Sequence, residues 1–150
     1  MPHLVGASSL ASAILRRTMS QGNVEIAHRL YEAFNRHDLT AFLRGIDDDV
    51  EFLPILVALD GGFRGREGVR QWWESMFGAV PDYQVEVDEV RDLGAARTFS
   101  ALRSHGHGSS SSVPVEQKHW QVIDWRDGKI VRLESFRSQA EALEAVGLSE

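Results

Sequence analysis

The chain has 150 residues, 43% hydrophobic and 25% charged, with a formal net charge of −6; that is enough for one domain with a real core and a poor match for nucleic acid or an anionic membrane surface. It has no cysteine, which excludes disulfides, thiol catalysis and Cys-ligated metals. No apolar run approaches the ~20 residues of a membrane helix.

Residues 1–21 read as an extension outside the fold. Arg16-Arg17 follow the weakly clustered apolar residues instead of preceding them, the wrong order for a secretory signal, so a cytoplasmic protein is expected. Residues 22–148 read as the domain. Asn23 is placed as the N-cap of a first helix with Val24, Ala27, Leu30, Tyr31 and Phe34 on one face. Asn35-Arg-His-Asp38 breaks it, and Asp38 caps a short second helix with Leu39, Phe42, Leu43 and Ile46 inward. Asp47-Asp-Asp49 ends that helix, and Val50 to Pro54 forms a short strand stopped by proline. Ala58 to Gly62 is a loop. Val69, Trp72, Trp73, Met76 and Phe77 make the broad apolar stripe of a third helix.

Strands are expected from Tyr83 to about Val90, from Arg97 to about His107 and from Val113 to Trp125, with turns at Asp92-Leu-Gly94 and Gly108-Ser-Ser-Ser-Ser112. Asp127-Gly128 between two alternating runs is a strong hairpin signal. Pairing without a slip sets Trp125 opposite Ile130, Ile123 opposite Arg132, Gln121 opposite Glu134 and His119 opposite Phe136. His119, Gln121, Arg132 and Glu134 then share one face, the polar floor of a small-molecule pocket. Ser138 and Glu141 form a capping box for a last helix that Gly147 ends.

This order predicts an α+β fold, with helices packed on one face of a curved antiparallel sheet. Trp120, Val122, Val131 and Leu133 fall on the other face, which needs a cover. A partner subunit supplies it most simply, so a homodimer through the outer sheet face is expected.

Five segments resemble the SnoaL-like branch of the NTF2-like superfamily, which includes ketosteroid isomerase. They are Leu30-Tyr-Glu-Ala-Phe-Asn-Arg-His-Asp-Leu39, Asp48-Asp-Val-Glu-Phe52, Phe63-Arg-Gly-Arg-Glu-Gly-Val69, Trp125-Arg-Asp-Gly-Lys-Ile-Val-Arg132 and Glu141-Ala-Leu-Glu-Ala-Val-Gly-Leu148. The resemblance implies the NTF2-like, or cystatin-like, cone and a small-molecule pocket. It sets Leu53 where the isomerase has its Asp base, Leu30 at its tyrosine with Tyr31 one step away, and Gln121 at its acidic strand position. Gln121 can donate a hydrogen bond but cannot shuttle a proton.

His119 reads either as an acid/base near its usual pKa of ~6.5 or as a half-buried, hydrogen-bonded strand histidine. Glu51 reads as a second acid/base with a raised pKa or as a residue in a surface salt bridge. Gln121, Arg132, Glu134, Tyr31, Leu53 and Trp73 are the expected substrate-binding set. Arg132 and Glu134 could equally form a surface ion pair, and Trp73 could be core. His105, His107 and Glu116 could ligate a metal, but the strand adjoins a flexible loop and shares its face with Arg103, so no metal is expected. Phe63-Arg-Gly-Arg-Glu-Gly68 is no phosphate loop, because no Lys-Ser/Thr follows.

Two functions are therefore carried forward. One is a cofactor-independent isomerase, hydratase or cyclase acting on a small apolar, oxygen-bearing molecule, with His119 and Glu51 moving protons. The other is a non-catalytic ligand-binding or sensing homodimer of the same fold.

Overall fold

The computed structural model describes residues 22–55 and 62–148; the expected N-terminal extension and most of the Ala58–Gly62 loop lie outside them. Helix α1 covers 22–35. It is followed by α2 (Leu39–Arg44), β1 (Ile46–Leu53), β2 (Phe63–Arg64), α3 (Gly65–Ala79), β3 (Gln84–Gly94), β4 (Arg97–His107), β5 (Pro114–Arg126), β6 (Lys129–Phe136) and α4 (Gln139–Ala145). The strands form one sheet in the order β2-β1-β6-β5-β4-β3, antiparallel except where β1 runs parallel to β6. The helices α1 to α3 pack on its inner face, around a core that includes Phe34, Phe52, Trp72, Leu102 and Ile123.

Local chemistry places most ends. Asp38 caps α2 by accepting from the Ala41 N–H at 3.1 Å, and Ser138 caps α4 by accepting from the Glu141 N–H at 3.1 Å. Gly147 takes φ +75° and donates to the Glu144 carbonyl at 3.0 Å, and the Leu148 N–H returns to the Leu143 carbonyl at 2.9 Å, a Schellman end. Asp127 (φ 53°) and Gly128 (φ 74°) make the expected tight turn.

Other boundaries move. Asn23 already lies within α1 and does not cap it. The second helix stops at Arg44, and Ile46 opens β1 instead of facing inward from a helix. The chain does not turn at Asp92-Leu-Gly94. β3 runs to Gly94, and the reversal falls on Ala95 (φ 52°) and Ala96 (φ 58°).

The register of the final hairpin is the main correction. Trp125 faces Ile130 as expected, but Asp124 then pairs with Arg132, Ile123 with Leu133, Val122 with Glu134, Gln121 with Ser135 and Trp120 with Phe136. Val131 is an extra residue on β6, a β-bulge. One residue of slip turns every later side chain over. Ile130, Leu133 and Ser135 therefore face inward, while Arg132 and Glu134 face outward.

The outer face also differs from expectation. Phe99, Val122, Ala142 and Leu143 form a second buried cluster, with Trp120, Phe136 and Val146 against it. The cover is α4, and Leu133 belongs to the inner core. The case for a homodimer rested on an uncovered outer face, and α4 removes that reason for a partner subunit.

Two contacts hold the sheet edge nearest the helices. The Asn35 amide donates to the Val85 carbonyl at 2.8 Å and accepts from the Val85 N–H at 2.9 Å, so a helix-end side chain satisfies the edge strand β3 as a neighbouring strand would. The turn after α3 presses on β4 at Gly106, where a Cβ would stand 2.5 Å from Val80 Cγ1 and 3.1 Å from the Tyr83 Cα. Only glycine admits that approach.

Two stability changes follow. Asn35→Ala strands both Val85 backbone groups and is expected to cost about 2–3 kcal/mol in urea unfolding. Ala96→Gly relieves a left-handed alanine and is expected to gain about 1 kcal/mol by the same measurement, with the m-value unchanged.

Candidate functional site

A cavity lies between the inner sheet face and the helices. Its walls are apolar and aromatic: Leu30 and Phe34 from α1, Phe42 from α2, Trp72 and Met76 from α3, and Phe52, Leu102, Ile123 and Leu133 from the sheet. Pro54 and Ile55 also line it. About 50 Å³ is free for water-sized molecules, room for a few waters or one small ligand. No Asp, Glu, Lys or Arg among the described residues lines it.

The polar side chains of the cavity come from α1, the turn before β3, β4, β5 and β6 and form two groups. In the first, Tyr31 reaches across from α1 to a pair that faces each other on the sheet, Ser100 of β4 and Gln121 of β5. The Tyr31 hydroxyl oxygen lies 2.6 Å from Gln121 Oε1 and 2.9 Å from Ser100 Oγ. A phenol has one proton, and a carbonyl oxygen can only accept. Tyr31 therefore donates to Gln121, and the Ser100 hydroxyl supplies the proton of the other bond. Gln121 Nε2 in turn donates to Ser135 Oγ at 3.4 Å. Burial pushes the Tyr31 phenol well above its ordinary value, the bond to Ser100 pulling the other way. This hydroxyl is both neutral and already committed.

The second group is Tyr83, Ser104 and His119. His119 is only 3% exposed, and its Nε2 lies 2.5 Å from Ser104 Oγ. Burial raises the Tyr83 phenol above its ordinary pKa, with Ser104 pulling the other way. His119 Nδ1 has no hydrogen-bond partner and is the sole buried side-chain N or O atom in that state among the described residues. Burial alone lowers the imidazole pKa from 6.5 to about 4, so the ring is neutral at pH 7.

The structure thus brings His119, Gln121 and Tyr31 to one cavity. It does not bring the others. Glu51, Arg132 and Glu134 lie on the outer face as a surface ion cluster, with Arg132 Nε 3.4 Å from Glu51 Oε2 and its terminal nitrogen 3.0 Å from Glu134 Oε1. Each side chain in it is about one-third exposed (33–36%). Leu53 sits on the outward register of β1 opposite Glu134, and Phe52 takes the inward position. Trp73 packs on Phe34, Phe42 and Phe77 at 5.4, 5.1 and 5.0 Å between ring centres; its neighbour Trp72 lines the cavity instead. His105 and His107 engage Glu86 (3.6 Å) and Asp82 (2.7 Å), and no group of three or more His, Asp or Glu among the described residues is arranged to hold a metal.

Sequence reasoning missed Ser100, Ser104, Ser135 and Tyr83. Ser100, Leu102 and Ser104 share one face of β4, and serines alternating on a strand that borders a candidate pocket histidine were the available signal.

No helix among the described residues is long and apolar enough to cross a membrane. No curated protein matches the chain. An NTF2-like protein of unknown function from Burkholderia pseudomallei is similar in structure, at 19% identity and TM-score 0.70, over 82% of this chain and 95% of the other. A Catenulispora acidiphila protein with a ketosteroid isomerase-like fold, in complex with trimethylamine, is similar at 15% identity and TM-score 0.67, over 83% and 93%. TerC, co-crystallised with polyporic acid, is similar at 18% identity and TM-score 0.68, over 84% and 98%.

The depressed His119 pKa sets a pH dependence. Below about 6.5 the unfolded chain takes up a proton that the native site accepts only near 4. The native state binds fewer protons in that window, so stability is full above the unfolded value and falls as pH drops. The expected loss by pH 4 is about 3 kcal/mol. In urea unfolding across this range, His119→Gln is expected to show a shallower decline than the parent; parallel curves would contradict the assignment.

Residues 27–133 match the SnoaL-like domain family, and the chain belongs to it.

Proposed function

We propose that the cavity binds one small, largely apolar, uncharged molecule bearing an oxygen, anchored by His119. The observation that carries this reading is the unpartnered His119 Nδ1, buried in a largely apolar cavity where Tyr31, Ser100, Gln121 and Ser135 bond one another. An orphaned buried ring nitrogen costs about 1–3 kcal/mol, and a ligand that bonds it recovers that cost. The absence of lining charge among the described residues disfavours an ionic ligand, because nothing would offset its desolvation. Trimethylamine and polyporic acid, held by two proteins of similar fold, add support for a small ligand.

Binding is favoured over turnover by the position of Glu51. An acid/base pair needs both groups at one reacting atom, and Glu51 pairs with Arg132 on the far side of the sheet. Proton transfer by His119 alone is a second reading and rests on the same free nitrogen.

Titration of the protein with cyclopentanone, followed by NMR shifts of cavity residues, tests the first reading. Saturable binding is expected, and His119→Leu should weaken it about tenfold, the loss of one hydrogen bond. No saturable shift at Tyr31, Gln121 or His119 would refute it. Exchange of the cyclopentanone α-protons in D₂O tests the second: acceleration by the parent and none by His119→Leu is the result it requires.

A further inference from the structure

Gln121 and His119 lie two residues apart on the inward face of β5, and both line the cavity. One strand repeat separates them by about 7 Å. The anchor described above sits at the His119 end. The Gln121 end carries protons that the fold leaves unspent.

The direction of the Gln121 amide decides which protons these are. One end of the amide lies 2.6 Å from the Tyr31 hydroxyl, and the other lies 3.4 Å from Ser135 Oγ. Hydroxyl-to-oxygen bonds run from about 2.5 Å, whereas amide N–H bonds to oxygen run from about 2.7 Å. The carbonyl end therefore faces Tyr31, and the NH2 end faces Ser135. That NH2 has two hydrogens, and Ser135 Oγ is its one partner among the described residues. Ser135 accepts this bond, and its own proton reaches no acceptor among the described residues. Each polar atom here has a partner, yet one amide proton and one hydroxyl proton do not.

Ser135 lines the cavity as well, and both side chains are half-buried. The bond between them is at the long end of its range, so swinging the amide toward a ligand gives up little. A carbonyl oxygen has two lone pairs and no proton to place, and it can accept from both donors at once.

The His119 end asks for a different group. Nε2 is taken by Ser104, and Nδ1 is open. In a neutral ring Nδ1 is a donor or an acceptor according to the tautomer. A hydroxyl both donates and accepts, so it bonds Nδ1 in either tautomer. Leu102, Ile123 and Leu133 wall the same cavity and suit a carbon frame between the two oxygens.

Resting on the binding reading above, we propose that Gln121 and Ser135 form a second anchoring point that receives a carbonyl oxygen while His119 receives a hydroxyl, so that the ligand is a small neutral hydroxyketone.

The test titrates the full chain with 4-hydroxycyclohexanone, cyclohexanone and cyclohexanol, followed by NMR shifts of Gln121, Ser135 and His119. The parent should bind the hydroxyketone about tenfold tighter than either single-oxygen probe, the gain of one hydrogen bond. Ser135→Ala should shrink the advantage over cyclohexanol about threefold, and Ser135→Thr, which keeps the hydroxyl, should retain it. His119→Leu should shrink the advantage over cyclohexanone instead. A loss of packing would weaken all three probes alike. Equal affinity for the three probes in the parent overturns the proposal and leaves single-oxygen binding standing. A Ser135→Ala loss common to all three overturns it too. If no probe binds saturably, the binding reading itself falls and the proposal falls with it.

Discussion

The site depends on one extra residue in β6. With Val131 bulged out, Ile130 and Leu133 both face the core although they are three apart, and Arg132 and Glu134 turn outward. Regular alternation would have carried a guanidinium and a carboxylate into the cavity beside His119. Burying that pair would cost several kcal/mol per ion unless every donor and acceptor were met. A bulge gives up part of one ladder and leaves both charges hydrated, where they meet Glu51. The bulge is therefore the cheaper arrangement, and its consequence is an uncharged cavity.

That neutrality explains the state of the site. Without a carboxylate at hand nothing holds a proton on His119, so desolvation alone decides and the ring loses its charge. The same low-polarity surroundings favour a fully paired network, and Tyr31, Ser100, Gln121 and Ser135 supply one. The remaining open position is a property of the packing. Ser104 takes one edge of the imidazole, and the apolar walls offer the other edge no partner.

Much of the architecture was legible because it is written in short-range chemistry. Asp38, Ser138, Gly147 and Asp127-Gly128 specify ends and a turn through groups a few residues away, and the stripe from Val69 to Phe77 specifies α3 by its own period. The register error has a different origin. A bulge is settled by competition between ladder bonds and burial of charge across two strands, and turn residues carry no record of it. Its trace in the sequence is the spacing of Ile130 and Leu133 beside Arg132 and Glu134, which alternation reads as noise. The cover of the outer face was also hidden. Ala142 and Leu143 look like an ordinary amphipathic helix, and only the tertiary fold lays that helix on Phe99 and Val122. The turn at Ala95-Ala96 has no turn residues at all, so position there is imposed by the pairing of β3 with β4.

The alternation along β1 carries the last step. Phe52 packs inward against Trp72, ring centres 4.7 Å apart, so its neighbours Glu51 and Leu53 must face out. A carboxylate placed at either position would meet Arg132 or solvent, not a ligand. The β1 side of the cavity is consequently a wall of Phe52, Pro54 and Ile55, and the hydrogen-bonding chemistry is confined to the opposite side. There α1 contributes Tyr31, the start of β3 is preceded by Tyr83, and β4, β5 and β6 contribute serines, Gln121 and His119. On the proposed binding reading, the ligand's apolar body lies toward β1 and α3 and its oxygen toward β4 and β5. That orientation follows from strand register alone, before any affinity is considered.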